Sequence, residues 1–345
     1  MQELRALATG VGSMPQKDTN HALDLIFKYL NHIPFWPQLP KRNIREGMVA
    51  QFSENLPFLK MDDNGLRFSP SEAKEGGMET FYGHLIDNDL DYFKISEEFA
   101  LGLHEFYKRL ESSDLKAVDF IKFQVTGPFT FAAGLKDQKG LSLLHDSVFM
   151  QAALKGLVMK ALWQAKLFKK FAKKMILFVD EPFLGCFGSA FTPINREDVV
   201  RGLTELSAGI KQSEDILIGV HCCGNTDWSI FTDVPVIDII NFDAFSFQER
   251  FVLYAQNLAQ FLKKGGIVCW GIVPTQEFSG NETADLLAGK LMEGIGTLIK
   301  KGVDKDLLLK QMLVSPSCGL GSLVAGDSEK ILRLLSETSS FIRNI

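Results

Sequence analysis

Short apolar runs recur along this chain, each followed by a longer stretch of helical period, and that alternation leaves few folds open. Eight runs read as strands: Leu4–Val11, Ile33–Leu39, Phe120–Val125, Met175–Val179, Ile216–Val220, Val236–Asn241, Ile267–Gly271 and Gln311–Val314. Several are apolar on both faces, as strands covered by helices on a parallel sheet must be. The helical stretches between them are His21–Leu30, Asp91–Leu110, Met150–Phe171, Asn195–Lys211, Gln248–Lys263, Thr283–Lys300 and Ser328–Phe341. Eight strand–helix units in this order predict an α/β fold, a single (β/α)8 TIM barrel. The segment from Pro40 to about Asn88 does not read as a simple connection. It is expected to be an insertion after strand 2, lying over one barrel end. With no internal repeat and no low-complexity linker, residues 1–345 read as one domain.

Composition narrows the function classes. A chain that is 46% hydrophobic and 23% charged can bury enough apolar surface to fold, which excludes disorder. Five cysteines in 345 residues are too few for a disulfide-stapled scaffold. A formal charge of −5 argues against a nucleic-acid partner, because phosphate contacts call for a basic surface. No run is long and apolar enough to span a bilayer, and the first residues lack the apolar core of a signal peptide. A cytoplasmic protein with no membrane partner is the expectation.

The residues most suited to chemistry sit where the strands end. In Val220-His221-Cys222-Cys223-Gly224-Asn225, side chains two apart on an extended segment share a face, so His221 and Cys223 can converge while Cys222 points away. Ser315-Pro316-Ser317-Cys318-Gly319-Leu320 follows another strand. On a barrel both open onto the same rim, and one nitrogen with two sulfurs suits zinc. Asp243 reads equally as a carboxylate ligand or as a turn or helix cap. Asp180-Glu181-Pro182 places two acids after a strand, Val11-Gly12-Ser13 offers a turn and a hydroxyl, and Thr126-Gly127-Pro128 is a similar turn. Cys186 and Cys269 read as core cysteines.

That donor set also points to a reaction. A free thiol has a pKa of about 8.5 and is mostly protonated at neutral pH, whereas a metal-bound thiol is deprotonated. Zinc with two thiolates and a neutral imidazole sums to no net charge, which leaves a bound substrate sulfur electron-rich. Alkylation of a thiol fits that site better than hydrolysis does.

Together these segments resemble the catalytic half of cobalamin-independent methionine synthase, and the wider superfamily of barrel methyltransferases and uroporphyrinogen decarboxylase. The likeness runs from Val11-Gly12-Ser13-Met14-Pro15-Gln16 through Gly47-Met48-Val49, Thr126-Gly127-Pro128 and Asp180-Glu181-Pro182 to Pro316-Ser317-Cys318-Gly319-Leu320. The resemblance implies zinc held by His221, Cys223 and Cys318, with Asp243 where the family carries a ligating Glu. It implies that Gly12, Ser13 and Asp180 hold the amino-acid part of homocysteine, with Asp180 catalytic in anchoring the ammonium. Glu46 neighbours the place of the Glu that contacts the amine. Two positions differ. The segment of the family's catalytic His reads Trp270-Gly271-Ile272-Val273-Pro274-Thr275, and the folate-stacking Trp falls at Gly134. The expected activity is therefore zinc-dependent S-methyl transfer to a small thiol, homocysteine first and coenzyme M as another acceptor. The expected donor is a methylated corrinoid protein or methylcobalamin rather than a folate. A non-catalytic thiol- or corrinoid-binding barrel and a porphyrinogen-type decarboxylase are the alternatives.

Overall fold

The computed structural model describes residues 4–70, 76–171, 174–189, 194–211 and 216–344. Nine strands occur among them: β1 Leu7–Ala8, β2 Leu59–Asp62, β3 Gly65–Phe68, β4 Ile121–Thr126, β5 Met175–Asp180, β6 Ile216–Cys222, β7 Ile239–Phe242, β8 Ile267–Val273 and β9 Met312–Pro316. Seven form one parallel sheet in the order β1-β9-β8-β7-β6-β5-β4, and β2 pairs with β3 in a separate antiparallel hairpin. The sheet curls with helices outside it, a TIM-barrel-like α/β architecture.

Seven regular strands, not eight, make this sheet. The expected strand Ile33–Leu39 is an irregular extended segment with one parallel bridge to each edge, Ser13 to Gln38 and Phe35 to Lys122. Pro34 and Pro37 explain why: each lacks the N–H that a regular ladder needs. The segment still spans the gap, with Lys122 donating to Pro34 O at 2.9 Å and Met14 to Gln38 O at 2.8 Å. At the first strand, Arg5 and Ala6 take φ of 29° and 60°, so the extended run expected from Leu4 shrinks to Leu7–Ala8.

Two helical expectations also change. Residues 91–100 are turns rather than helix, and the helix begins at Leu101; Tyr92, Phe93, Ile95 and Phe99 signal burial rather than helical period. Gln248–Lys263 divides into helices Ala244–Phe251 and Ala255–Lys263, joined by a 3-10 turn at Val252–Tyr254. The segment after Pro40 contains two 3-10 turns, the β2–β3 hairpin and a helix at Met78–Ile86.

The sheet's two faces bury different things. Its outer face joins the helices in one large core, to which Phe123, Leu177, Val220, Cys222 and Val314 belong. Its inner face carries a second, separate cluster that includes Leu7, Ile33, Phe120, Ile176, Phe178, Ile239, Ile267 and Leu313. Toward the strand C-termini the same inward parity presents polar groups instead: Lys122, Gln124, Asp180, His221, Asn241 and Ser315, all buried. Register aligns several of them, pairing Thr126 with Asp180, Asp180 with His221 and His221 with Asn241. An apolar plug below and a polar layer above position the site.

One buried charge lies elsewhere. Lys160, in the long helix Ser147–Phe168, is fully buried, and its Nζ has no hydrogen-bond partner. Burial pulls its pKa down from 10.5 to about 8, with Glu54 opposing. The folded chain thus disfavours the ammonium that the unfolded chain holds, a penalty that is full below pH 8 and gone above pH 10.5. Lys160→Met is expected to raise unfolding free energy at pH 7 by about 3 kcal/mol, from about 1.4 kcal/mol per pKa unit. Denaturant titrations at pH 7 and pH 10.5 check this, since the gain should shrink at the higher pH.

Candidate metal centre and adjoining cavity

His221 is the next-to-last residue of β6, and strand parity turns it inward with Cys223 while Cys222 enters the outer core. Cys318 comes from the loop after β9. A ligand atom from each of His221, Cys223 and Cys318 lies within 4.8 Å of the others, so the three could hold one cation. Among the described residues this is the one such group of three or more His, Cys, Asp or Glu. The loops are fixed by backbone contact. A Cβ added at Gly185 would lie 2.8 Å from Gly224 Cα, so the 3-10 turn Pro182–Cys186 packs directly on the loop after Cys223. Gly185→Ala should therefore push the Cys223 loop and cost about 1–3 kcal/mol, as overpacking typically does. A thermal melt reads that loss.

The neighbouring Cys223 thiol and His221 hold the Cys318 thiol down at about 4 despite its burial. Cys223 is correspondingly pushed up by Cys318 and by burial. Burial lowers the His221 pKa, but the Cys318 thiolate outweighs it and the net shift is upward. Cys222 and Cys269, buried away from the cluster, are each raised to about 12 by burial. Cys269 is thus a core cysteine as expected, but Cys186 is exposed at the end of its 3-10 turn.

A cavity of about 250 Å3 opens beside the cluster, lined by all three donors together with Ser13, Glu46, Met48, Asp180 and Gly319. Glu46 is buried and pairs with Arg42, but its Oε2 has no partner, and neither does Oδ1 of Asp180. Burial raises the Glu46 pKa against the pull of Arg42. It raises Asp180 to about 6, against His221 and Lys122. Both residues line the cavity, and an unpartnered carboxylate oxygen on each is a group that a cationic ligand could satisfy. The lining holds no Lys or Arg.

The other expected residues have structural places. Ser13 Oγ accepts from the Gly321 amide at 3.1 Å. Gly12 does not line the cavity; it packs under Gln124 and Gln38, where a Cβ would come within 3.0 Å of the Gln124 amide carbon. Asp243 is the N-cap of Ala244–Phe251, accepting from Ser246 N at 2.8 Å, and is not part of the three-donor group. Glu181 accepts from Phe129 N, Thr130 N and Thr130 Oγ1, capping the helix Pro128–Ala133. Burial nevertheless holds it up at about 7. Gly127 is needed there, since a Cβ would fall 2.2 Å from Glu181 Oε1.

Sequence reading missed the polar layer beneath. Lys122 Nζ donates to Val11 O at 2.6 Å and to Gln124 Oε1 at 3.2 Å, supporting the Val11–Ser13 turn from below. Asn241 stands behind His221, with its Oδ1 2.6 Å from the ring Nδ1. Asn241 was visible as a single polar residue on the inward parity of β7, and Lys122 as the first of a polar run, with Gln124 and Thr126, on that of β4.

Curled parallel sheet, polar strand ends and a thiol–imidazole cluster define a TIM-barrel-like α/β protein with an enzyme-type site. No family profile and no curated protein sequence matches the chain. Among solved structures, it is similar to a B12-independent methionine synthase from Shewanella sp. W3-18-1 in complex with selenomethionine, at TM-score 0.58 and 15% identity, over 99% of this chain and 98% of that one. A β-mannanase from Alicyclobacillus acidocaldarius aligns over 70% of this chain and 78% of its own, at 11% identity and TM-score 0.38. The likeness to the methionine synthase is one of fold. Among the described residues, no helix is long and apolar enough to cross a membrane.

Proposed function

We propose that this chain is a zinc-dependent methyltransferase that methylates the sulfur of a small amino-thiol, homocysteine first. The observation that carries this reading is the convergence of His221, Cys223 and Cys318 on one point beside a cavity with two unpartnered carboxylate oxygens. Two sulfurs and an imidazole suit zinc by softness and number, and a fourth position is left for a substrate. Zinc held there would supply the positive charge that keeps an acceptor thiol deprotonated at neutral pH. The two thiolates balance that charge, so the acceptor sulfur keeps its nucleophilicity. Asp243 stays with its helix as a cap.

The chain's own residues supply recognition. Asp180 and Glu46 receive the ammonium, and Ser13 with the nearby amides receives the carboxylate, while Gly12 allows the turn that presents Ser13. A lining with two acids and no Lys or Arg favours an amino-thiol over the sulfonate of coenzyme M. It gives no support to a porphyrinogen decarboxylase, whose polycarboxylate substrate needs cations. The Shewanella protein's complex with selenomethionine, the selenium analogue of a methylated homocysteine, agrees with this acceptor. Holding both partners in line contributes roughly 7–11 kcal/mol to such a displacement. For the donor, a Cβ at Gly134 would lie 2.8 Å from Val49 Cγ2, which leaves a pterin-stacking Trp no place. That supports a methylated corrinoid, free or protein-bound.

Purified chain is expected to carry one zinc and to form methionine from homocysteine and methylcobalamin, but not from methyl-folate. Absence of zinc together with absence of methyl transfer from either donor would overturn the reading. A thiol-binding barrel without turnover is the second reading, favoured by fully buried Ile272 in the segment of the family's catalytic His. Saturable homocysteine binding with no methionine formed would select it.

A further inference from the structure

We infer that Asn241 is a positioning residue that locks the His221 imidazole in the tautomer with Nδ1 protonated and Nε2 free to bind a metal. This rests on the zinc reading above for its purpose, though not for its geometry. Asn241 is fully buried on β7, in register with His221 on β6. Its amide has one workable orientation. Nδ2 donates to the Cys269 carbonyl at 3.0 Å and to Ser315 Oγ at 2.8 Å. A carbonyl only accepts, so turning the amide over would set oxygen against oxygen in a buried place. Ser315 Oγ passes its own proton to Pro316 O at 2.9 Å, which leaves its lone pair for Asn241. Every proton in this chain of bonds thus has one direction.

The remaining atom, Asn241 Oδ1, is a pure acceptor 2.6 Å from His221 Nδ1. Nδ1 must therefore carry hydrogen, and in a neutral ring Nε2 keeps the lone pair. The same side chain ties β7 to Ser315 of β9, three residues before Cys318. One buried amide thereby orients the first donor and braces the strand that delivers the third. Residues that hold a ligating His this way typically change metal affinity 10- to 100-fold when removed.

Two measurements test this separately from turnover. In 15N-histidine spectra of Cys318→Ala at pH 9, where no thiolate partner remains at Cys318 and the ring is neutral, His221 is expected to be Nδ1-protonated. Adding Asn241→Leu should shift it toward the Nε2-protonated form that free side chains prefer. An Nε2-protonated His221 with Asn241 intact would overturn the inference, whether or not the chain proves to be a methyltransferase. In chelator competition, Asn241→Leu should bind zinc about 10- to 100-fold more weakly. Asn241→Asp keeps an acceptor at Nδ1 but sets its second oxygen against the Cys269 carbonyl, so its affinity should fall between wild type and the Leu variant. Equal zinc affinity in folded wild-type and Leu chains would also overturn it. Should the Leu variant not fold, the spectra of the Cys318→Ala chain still decide.

Discussion

Cys318→Ala is expected to empty the metal centre and to lower methyl transfer by well over about 100-fold, beyond the loss typical of residues that only orient a ligand. The reason is the loss of one donor from a group of three. Cys318 carries the negative charge of the pair, held down at about 4 by the Cys223 thiol and by His221. Without it, two donors remain where four-coordinate zinc needs at least three from the protein. The substitution removes one sulfur from a half-buried loop position, so the fold should survive. Metal analysis with a thermal melt separates the outcomes. A folded variant that still holds stoichiometric zinc at unchanged affinity would refute the role given to Cys318.

Asp180→Asn is expected to raise the KM for homocysteine about 10- to 100-fold while changing kcat less. A hydrogen bond to a charged group contributes about 1.5–3 kcal/mol, and each 1.4 kcal/mol is a factor of ten. Asp180 and Glu46 both line the cavity and each keeps a buried oxygen without a partner, so an ammonium bound there would meet acceptors already desolvated. Glu46→Gln should act in the same direction but less, because Arg42 already pairs with that carboxylate. Steady-state kinetics with homocysteine and with a thiol lacking the amine make the comparison. The amine-free thiol should be a poor acceptor for the wild type and nearly indifferent to Asp180→Asn. Equal effects on both acceptors would show that Asp180 does not read the ammonium.

Parity along single strands was legible in the sequence and held. His221 faces the interior and Cys222 the helix-packed core, as side chains alternating on an extended backbone require. The order of strands and helices likewise marked a parallel α/β sheet. Where local backbone chemistry competed with pattern, the pattern misled. Ile33–Leu39 has the apolar content of a strand, yet its two prolines reduce it to isolated bridges. Residues 91–100 have apolar spacing fit for a helix, but they are turns that bury Phe93, Ile95 and Phe99. Asp243, open between ligand and cap from sequence, caps a helix.

The amino-acid order alone determined the fold class and the side of each strand on which its chemical groups stand, because both follow from periodicities only a few residues long. Tertiary structure decided that Cys318 meets His221 and Cys223, that Glu46 reaches the cavity beside Asp180, and that Asn241 stands behind the imidazole. These meetings depend on sheet register and on loops packed backbone to backbone, as at Gly185 and Gly224. Distances of that kind are set by how the whole sheet closes on its apolar interior, and no local pattern encodes them.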